Sequence, residues 1–430
     1  MDHIPHHFSP DEGFARALDA ADPLAPLRAE FAIPDGPDGT PVTYLLGNSL
    51  GLMPLAVRGI LEEEADNWAR LAIDGHFSAK VPWANYSEAI NPALARVVGA
   101  EPDEVVAMNT LTVNLHLMLA SFYRPAGTRV KVLMEDRAFP SDRYAVASHL
   151  ALRGVDPAGA MLVARPREGE ESLRTEDIEG LLAEQGKDIA LVMLSGVNYL
   201  TGQWFDLGRI AAAARRQGCM VGYDLAHAAG NVPLALHDWD VDFAVWCHYK
   251  YLNAGPGAVA GAFIHRRHGS DASIPRLSGW WGQTMANRFA MGPVYQAATG
   301  AGGWELSNPP IFSLAPLRAS LEQFDRVGMA ALRQKSEGLT GYLAALLSGL
   351  PAEQLVLWTP ADPGARGCQL SFQLPGRGRA VHDRLRALGI APDYREPDVV
   401  RFAPAPFYNT YTEMWRVGQA VRRALTEAGA

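Results

Sequence analysis

The sequence predicts an α/β protein in which helices cover both faces of a mostly parallel sheet, followed by a smaller α/β domain. Short apolar runs alternate with longer amphipathic stretches between residues 129 and 224, which is the pattern of successive β-α-β units. Polar residues follow several of the apolar runs, and open parallel sheets bind ligands at the carboxyl ends of their strands. The two observations together indicate a sheet with a ligand site along one edge.

The alternation is most regular in the middle of the chain. Strands are predicted at residues 130–134, 160–164, 189–194 and 219–223, and helices at residues 142–152, 175–184 and 207–217. Two further apolar runs, at residues 241–247 and 258–264, predict two more strands. Because β-α-β connections make the strands parallel, their carboxyl ends are expected to share one edge of the sheet.

The segments outside this alternation suggest the domain organisation. Helical spacing predicts helices at 55–73 and 109–122, and a long helical region at 314–347 precedes a second, shorter αβ segment. A chain of 430 residues exceeds one ordinary core, so two domains are expected. The predicted parts are an N-terminal arm that packs with the small domain, a large domain and the small C-terminal domain itself, at residues 1–43, 44–312 and 313–430.

Composition argues against several classes of protein. The formal net charge of −9, with no basic stripe, does not suit a nucleic-acid partner. No apolar run approaches the roughly 20 residues of a membrane span, and residues 1–14 lack the basic and apolar regions of a signal peptide. Cys219, Cys247 and Cys368 cannot all pair, and two of them lie in predicted strands. A cytoplasmic protein with reduced thiols is therefore expected.

Two common ligand classes are not predicted. The histidines near the start of the chain, at positions 3, 6 and 7, have no cysteine or acidic residue at a matching metal-ligand spacing. No Walker-type glycine loop occurs in the sequence, which argues against the usual nucleotide site. We therefore expect neither a metal nor a nucleotide.

The central candidate site comes from two predicted strands. Asp224 ends one apolar run, with His227 three residues later, and Tyr249 and Lys250 follow another. Pyridoxal phosphate (PLP) needs such a pair, because a lysine forms a Schiff base with it and an acid keeps its pyridine nitrogen protonated as an electron sink. Alone, a lysine after a strand is commonly solvated, and an aspartate there often caps a helix. Their combination favours a PLP site.

Further candidates lie at other predicted strand ends. Phe139-Pro140-Ser141-Asp142 follows the strand at 130–134, and its aromatic ring is suited to stacking on a cofactor. Ser195 offers a hydroxyl group after the strand at 189–194. Each residue alone has a simpler explanation as part of a helix cap. Their recurrence at successive strand ends indicates one shared cleft.

A phosphate site is suggested by the start of the helix at 109–122. Leu111 and Thr112 lie in its first turn. The free N–H groups and the positive end of the dipole at a helix N-terminus suit a phosphate. A plain N-cap at Thr112 is the alternative.

Two candidates lie outside the alternating region. Ser49 is presented on a turn between Gly47 and Gly51, which is either an ordinary turn or a loop that reaches a ligand. Arg401 leaves a predicted strand of the small domain just before a proline-rich turn. A guanidinium group binds a carboxylate through two hydrogen bonds, so Arg401 is either a carboxylate clamp or a partner in an ordinary surface ion pair.

Several stretches of the chain resemble kynureninases. They are YLLGNSLGLMP, NTLTVNLHLMLASFY, AFPSD, DLAHAAGNVPLALHDWDVDFAVWCHYKYLNAGPGAVAGAFIH, GWWGQ and LSNPPIF, and the resemblance runs from about Tyr44 to about Tyr411. The aspartate–lysine arrangement occurs throughout the fold-type I PLP enzymes of the class V aminotransferase group, whereas GNSLG, HDW and SNPP are more specific. The resemblance implies a hydrolase of tryptophan catabolism that cleaves the Cβ–Cγ bond of L-kynurenine or 3-hydroxykynurenine, releasing anthranilate or 3-hydroxyanthranilate and L-alanine.

The resemblance also implies roles for individual residues. Lys250 is the Schiff-base lysine, Asp224 the pyridinium partner and Tyr249 the third catalytic residue. The other implied cofactor contacts are Leu111, Thr112, Phe139, Pro140, Ser141, Asp142, Ser195, His227, Trp280 and Asn308, and the implied substrate contacts are Ser49, His76, Asn308 and Arg401. Trp280, preferred over Trp281, and Asn308 come from a second subunit, since the family forms homodimers with shared active sites.

Two other functions are weighed against this one. A cysteine desulfurase or related lyase of the same fold needs a reactive cysteine on a mobile loop, for which Cys368 is the only candidate, and it is expected at the start of a buried strand instead. A PLP-dependent regulator needs a DNA-binding module, and residues 1–40 are too few and too acidic to form one. An assay separates the desulfurase from the kynureninase: the first releases sulfide from cysteine, and the second releases fluorescent anthranilate from kynurenine.

Overall fold

Seven strands form the main sheet of the protein. The computed structural model describes residues 8–427. In chain order the strands are β1 Val105–Met108, β2 Lys131–Glu135, β3 Met161–Ala164, β4 Ile189–Ser195, β5 Met220–Asp224, β6 Phe243–Cys247 and β7 Ala260–Ile264. Their order across the sheet is β1-β7-β6-β5-β4-β2-β3. Strands β6, β5, β4, β2 and β3 are mutually parallel, and β7 pairs antiparallel with both β6 and β1. The predicted α/β class with a mostly parallel sheet is confirmed.

Helices cover both faces of this sheet, and further helices lie in the rest of the chain. The longer ones are α1 Glu12–Ala21, α2 Ala56–Leu71, α3 Tyr86–Val98, α4 Leu111–Phe122, α5 Pro140–Leu152, α6 Thr175–Gln185, α7 Leu207–Arg216, α8 Ile311–Val327, α9 Met329–Leu347, α10 Gly378–Ala387 and α11 Tyr411–Glu427. Four-residue helices lie at Gly75–Ser78, Pro157–Ala160, Arg266–Gly269 and Met285–Arg288. None of the helices in residues 8–427 combines the length and apolar character needed to cross a bilayer.

Two apolar cores lie on opposite faces of the main sheet. Successive side chains of a strand point to opposite faces, so Val132 and Met134 of β2 join one core while Leu133 joins the other. The strands are buried on both faces, which is why they are continuous apolar runs and not alternating ones. This layering leaves only the strand ends for polar residues.

A second, four-stranded sheet lies near the end of the chain. Its strands are β8 Val356–Leu357, β9 Leu370–Gln373, β10 Asp393–Arg395 and β11 Val399–Phe402, in the antiparallel order β8-β9-β11-β10. Helices α9, α10 and α11 share a third apolar core with it. Two-stranded pairs complete the structure, with residues Phe31–Ala32 beside Met53–Pro54 and Thr43–Tyr44 beside Ile390–Ala391.

The N-terminal helix α1 packs against this C-terminal part. Ala15 is buried in the third core. The Asp19 carboxylate accepts hydrogen bonds from the Tyr411 and Thr412 backbone N–H groups at 2.6 and 3.0 Å, at the start of α11. Asp22 forms a buried ion pair with Lys335 at 2.8 Å. These contacts hold α1 and Asp22 against α9 and α11. The division into an arm, a large domain and a small domain stays a prediction, and residues 1–7, with their histidines, lie outside the described part.

Several elements differ from the expectation. The long helical region is two helices, because Gly328 between them has a φ of 79° that breaks the helix. Helix α3, which contains Pro92, and strand β1 were not predicted. The proline masks the helical pattern of α3, and four residues of β1 are too short a run to stand out.

Candidate active site

A cavity that opens to solvent lies at the carboxyl ends of the parallel strands. Its lining includes ten of the residues predicted from the sequence, together with three that were not. The lining residues are Leu111, Thr112, Phe139, Ser141, Asp142, Ser195, Val197, Tyr199, Asp224, Ala226, His227, Tyr249 and Lys250. Residues up to 139 positions apart in the chain (Leu111 to Lys250) therefore meet in one place, as expected for strand ends on one edge of a sheet.

Lys250 lies beside His227 in this cavity. Its Nζ atom is 3.0 Å from His227 Nε2. Burial, together with the nearby charge of Lys250, holds the pKa of His227 well below its usual range. The imidazole is therefore neutral at physiological pH, and its Nε2 accepts a hydrogen bond from the Lys250 amino group.

Asp224 lies at the carboxyl end of β5, in contact with a second acid. One carboxylate oxygen of Asp224 accepts the Ala226 N–H at 2.7 Å. Burial raises the pKa of Asp224, and the Ala226 hydrogen bond and the Lys250 charge oppose that shift. Burial also raises the pKa of Asp142 well above its usual range, reinforced by the charge of Asp224. Asp142 is therefore the member of the pair that carries a proton, and Asp224 is the one placed to meet a cation.

Two helices begin at the cavity with hydroxyl groups in their first turns. Thr112 lies in the first turn of α4 and Ser141 in the first turn of α5, and their Oγ atoms are 3.0 Å apart. Helix N-termini present unpaired N–H groups and a positive partial charge. Both features suit a phosphate group.

The Phe139 ring forms an aromatic wall of the cavity. It is 43% exposed, which is unusual for an aromatic side chain beside a core. The Tyr199 ring packs edge-on against it, with centroids 5.2 Å apart, and Lys250 Nζ is 5.9 Å from its centroid. The ring is thus held from one side and left free to stack on a flat ligand.

Glu135 lies directly behind the cavity and was not singled out from the sequence. It ends β2, is 1% exposed, and its Oε1 accepts the Ser195 hydroxyl at 2.5 Å. Burial raises its pKa to about 7, the hydrogen bonds from Ser195 oppose that shift, and the charge of Asp224 adds to it. The rule that identified Ser195 and Asp224, a polar residue at a strand end, also applies to Glu135. The predicted strand stopped at residue 134, and the glutamate was passed over.

Six predicted contacts are not in the lining of the cavity. They are Ser49, Pro140, His76, Trp280, Asn308 and Arg401. Two of them have neighbours in the chain that belong to the site or contact it. Gly51, two positions after Ser49, donates its N–H to the Tyr249 carbonyl at 2.8 Å, and Pro140 lies between the lining residues Phe139 and Ser141. Ser49 and Asn308 are exposed. Their predicted roles stay predictions.

Arg401 is buried and already paired. It is 1% exposed, and its guanidinium donates to the Tyr199 carbonyl and forms an ion pair with Asp393. Burial lowers its pKa to about 10, so it stays charged at neutral pH. Its Nε has no hydrogen-bond partner. Arg401 therefore does form an ion pair, but a buried one beside Tyr199, a residue of the cavity wall, and not one on the surface. Its role as a carboxylate clamp stays a prediction.

The two adjacent tryptophans have different environments. Trp281 is 2% exposed and stacks on the Arg288 guanidinium, whose Cζ is 4.2 Å from the ring centroid. Trp280 is 37% exposed, and its Nε1 donates to the Arg288 carbonyl at 2.7 Å. Trp280 is therefore the one accessible to another molecule.

Cys368 has no access to a substrate. It is 0% exposed, and burial raises the pKa of its thiol to about 12. A reactive cysteine needs thiolate character and exposure, and Cys368 has neither. This removes the observation on which a desulfurase function depended.

One cluster within residues 8–427 has the spacing of a metal site. The ligand atoms of Glu104, His237 and His265 lie within 4.8 Å of one another. Glu104 accepts the Arg266 N–H at 2.9 Å and contacts His237 Nδ1 at 2.9 Å, and His265 Nδ1 accepts the Arg267 N–H at 3.2 Å. These atoms are already used to hold the neighbouring loop, so the cluster has a structural explanation.

The donor set of the cavity fits PLP. Three buried acids (Glu135, Asp142 and Asp224) lie near a single lysine, so the site has room for a further positive charge such as a protonated ring nitrogen. Asp142 Oδ1 and His227 Nδ1 are buried without a hydrogen-bond partner. Buried polar atoms are normally paired, and a polar ligand in the cavity would pair them.

Solved structures of a PLP-linked protein and of a cysteine desulfurase share this fold. The structure of C-DES with glycine covalently linked to its PLP cofactor has a TM-score of 0.74 at 22% identity, covering 93% of this chain and 98% of that one. The Escherichia coli cysteine desulfurase CsdA has a TM-score of 0.75 at 18% identity, covering 94% and 98%. At these identities the likeness shows the fold. Together with the residues of the cavity, it defines the chain as a PLP-dependent enzyme of fold type I.

Sequence relatives identify the family. The chain is 55% identical to the kynureninase of Myxococcus xanthus over 96% of its own length and 97% of the relative, and 52% identical to that of Xanthomonas campestris over 95% and 96%. Residues 332–421 match the family of kynureninase C-terminal domains. The chain belongs to the kynureninase family.

Proposed function

We propose that this protein catalyses the hydrolytic cleavage of the Cβ–Cγ bond of L-kynurenine or 3-hydroxykynurenine. Water and the substrate give L-alanine and anthranilate, or 3-hydroxyanthranilate, as one step of tryptophan catabolism. The observation that carries the proposal is the cavity in which Lys250, Asp224 and Phe139 meet, in a chain of the kynureninase family.

The cavity residues would hold PLP by complementary chemistry. Lys250 would attach the cofactor covalently through its amino group, and Phe139 would lie against the flat face of the ring. Thr112 and Ser141, 3.0 Å apart at two helix N-termini, would bind the phosphate. Asp224 would pair with the ring nitrogen, where its buried negative charge keeps a proton in place.

PLP supplies an electron sink for negative charge that develops on the α- and β-carbons of an amino-acid substrate. Lys250, once displaced by the substrate amino group, would remove and return protons at the α-carbon. His227, neutral and 3.0 Å away, accepts a hydrogen bond from Lys250 and so orients its amino group. Burial raises the pKa of Tyr249, so its hydroxyl keeps its proton and serves as a donor in the site.

Arg401 would hold the substrate carboxylate. Its buried guanidinium lies beside Tyr199 and has an Nε without a partner. A fixed carboxylate orients the α-carbon, and holding reacting groups in the right orientation lowers the activation barrier of a reaction considerably. Ser49 and His76 would contact the rest of the substrate.

A homodimer with shared active sites is part of the proposal. Exposed apolar side chains lie around Trp280, with Phe77 and Phe289 at 63% and 46% exposure and centroids 5.8 Å apart. Large exposed apolar patches commonly mark protein interfaces. A second copy on this face would bring Trp280 and Asn308 toward its neighbour's cavity. The three buried, unpaired cysteines support a reducing cytoplasmic location.

Turnover of purified protein tests the function directly. We expect anthranilate from kynurenine and 3-hydroxyanthranilate from 3-hydroxykynurenine, each detected by its fluorescence, with alanine in equal amount. The activity should be lost when PLP is stripped and recovered when it is added back. Sulfide release from cysteine with no anthranilate would contradict the proposal and favour the desulfurase alternative.

A further inference from the structure

Glu135 contacts the lining of the candidate cofactor site through Ser195. It is the last residue of β2, and Ser195 is the last residue of the adjacent parallel strand β4. The Ser195 hydroxyl donates to Glu135 Oε1 at 2.5 Å, and the Ser195 backbone N–H lies 3.3 Å from both carboxylate oxygens. Ser195 lines the cavity, whereas Glu135 does not.

This pair links a proton on Glu135 to the polarity of the cavity wall. A serine hydroxyl has one proton and two lone pairs. When Glu135 is ionised, the hydroxyl must donate to it, so Ser195 offers the cavity only an acceptor. When Glu135 is protonated, its own O–H donates to Ser195 Oγ, and the hydroxyl proton is released to donate into the cavity.

We propose that Glu135 is a positioning residue that sets, through Ser195, whether the wall of the PLP site donates or accepts a hydrogen bond. The inference rests on the proposed cofactor site and adds to it a residue outside the cavity. PLP is anionic, with a phosphate and a ring oxygen, so it binds better to a wall that donates.

The neighbouring charges place this exchange in the neutral pH range. Two titratable groups interact electrostatically with Glu135: the charge of Asp224 on β5 raises the pKa of Glu135, and the charge of Glu135 raises that of Asp142 on α5. The charge of Lys250 acts on both aspartates. Burial and the Asp224 charge raise the pKa of Glu135 to about 7. A purely structural glutamate would stabilise the strand ends without coupling to the ligand.

The test is the pH dependence of PLP affinity, measured by absorbance titration of the apoprotein with PLP. For the wild type we expect the affinity to fall about three- to tenfold as the pH rises through about 7, the effect of one neutral hydrogen bond. Glu135→Gln, which is always neutral and can donate to Ser195, should keep the high affinity at all these pH values. Ser195→Ala, which keeps Glu135 but removes the link, should lose most of the pH dependence.

A matched control is Glu413→Gln. Glu413 is also a glutamate whose pKa is raised by burial, but its side chain is 12% exposed, pairs with Arg28 and does not line the cavity. It should leave the pH dependence of PLP affinity unchanged. If Glu135→Gln fails to fold, Ser195→Ala still decides the question.

Two outcomes would overturn the inference separately from the function. If the wild type is active but its PLP affinity does not change around pH 7, the link is contradicted while the proposed function stands. The same holds if Ser195→Ala shows the same pH dependence of PLP affinity as the wild type. A wild type that takes up no PLP and makes no anthranilate would overturn the proposed function, and the link to its cofactor with it.

Discussion

At the scale of single residues, the site is defined by buried charges that lack enough partners. Asp142 and Asp224 share one small region with the buried Glu135, and Lys250 is the cation among the cavity residues. Isolated buried charge is costly, so such a cluster is stable only with shared protons or a bound cation. Protons held on Asp142 and Glu135 relieve part of this cost, and a protonated ring nitrogen on a bound ligand would relieve more at Asp224.

Replacing Asp224 by asparagine should disable catalysis without unfolding the protein. Asparagine keeps the shape and the Ala226 hydrogen bond, but it does not hold a proton on a ring nitrogen. Removing one partner of a buried ion pair costs about 3–5 kcal/mol, so we expect kcat to fall by at least about 100-fold at full PLP occupancy. The measurement is kcat for kynurenine at saturating PLP, with occupancy read from absorbance.

Asp136→Asn is the control for this variant. Asp136 directly follows β2 and forms ion pairs with Arg137 and Arg165, outside the cavity. It should retain wild-type turnover. Unchanged turnover in Asp224→Asn itself would mean that Asp224 only organises the turn after β5.

Arg401→Lys should be far from conservative. Lysine keeps the charge but loses the planar, forked geometry. Losing one charge-assisted contact to a substrate carboxylate costs about 1.5–3 kcal/mol, which is about ten- to a hundredfold in kcat/KM. The measurement is kcat/KM for kynurenine, set against the thermal stability of the same variant.

Two further variants separate substrate binding from the Asp393 ion pair. Arg395→Lys changes a neighbouring, more exposed arginine that also contacts Asp393, and it should leave kcat/KM unchanged. Asp393→Asn removes the partner but leaves Arg401 charged, so it should reduce kcat/KM less than Arg401→Lys does. A loss of kcat/KM below about threefold for Arg401→Lys would mean that Arg401 serves only the buried ion pair with Asp393.

At the scale of elements, close packing between neighbouring strands places the catalytic strand end. Gly222 of β5 lies opposite Phe243 of β6, and a Cβ atom added at Gly222 would come within 2.0 Å of the Phe243 ring. The phenyl ring occupies the space that a side chain would need. Asp224 lies two residues further along β5, so a shift of the strand at Gly222 would also move its carboxylate.

Gly222→Ala should therefore both destabilise the protein and weaken the cofactor site. Overpacking of this kind typically lowers the free energy of unfolding by about 1–3 kcal/mol, and a displaced β5 should weaken PLP binding as well. Thermal unfolding and PLP titration measure the two effects. The control is Gly180→Ala in α6, which has no atom within 4 Å of the added Cβ and should be neutral or stabilising by up to about 1 kcal/mol. Equal behaviour of the two variants would contradict the packing argument.

At the scale of the whole molecule, one chain leaves the proposed site incomplete. His76, Trp280 and Asn308 do not line the cavity of their own chain, and exposed apolar side chains surround Trp280. Both facts are what a site shared between two subunits would produce. The proposed dimer can be tested by mixing subunits.

Two inactive variants should restore activity when their subunits exchange. In a mixed dimer of Lys250→Ala and Trp280→Ala, one of the two sites has its own lysine and the partner's tryptophan intact. Random exchange makes about half of the dimers mixed, so activity should return to about one quarter of the wild-type value. Anthranilate production before and after mixing is the measurement.

The matched control combines Lys250→Ala with Asp224→Asn. Both changes fall on residues that line the same chain's cavity, so each mixed dimer has one defect in each site and no activity should return. If Lys250→Ala and Trp280→Ala behave in the same way as this control, the shared-site arrangement is wrong.

Much of the molecule was predictable because the signals are local. A strand buried on both faces must be continuously apolar, and a helix on its surface must repeat with helical spacing. The order of strands and helices around Ser195 and Asp224 follows from those patterns, as does the convergence of their ends. The lysine–aspartate pair then identifies PLP chemistry from residue types alone.

The sequence alone determined the α/β class, the strand ends and most of the residues that line the cavity. Only the tertiary structure decided that Glu135 lies behind Ser195, that Asp393 pairs with a buried Arg401, and that Cys368 is inaccessible. The physical reason is the range of the interactions. Periodicity and strand ends are properties of neighbouring residues, whereas burial, pKa shifts and side-chain pairing arise between residues far apart in the chain, whose distances are set only when the sheets and helices pack.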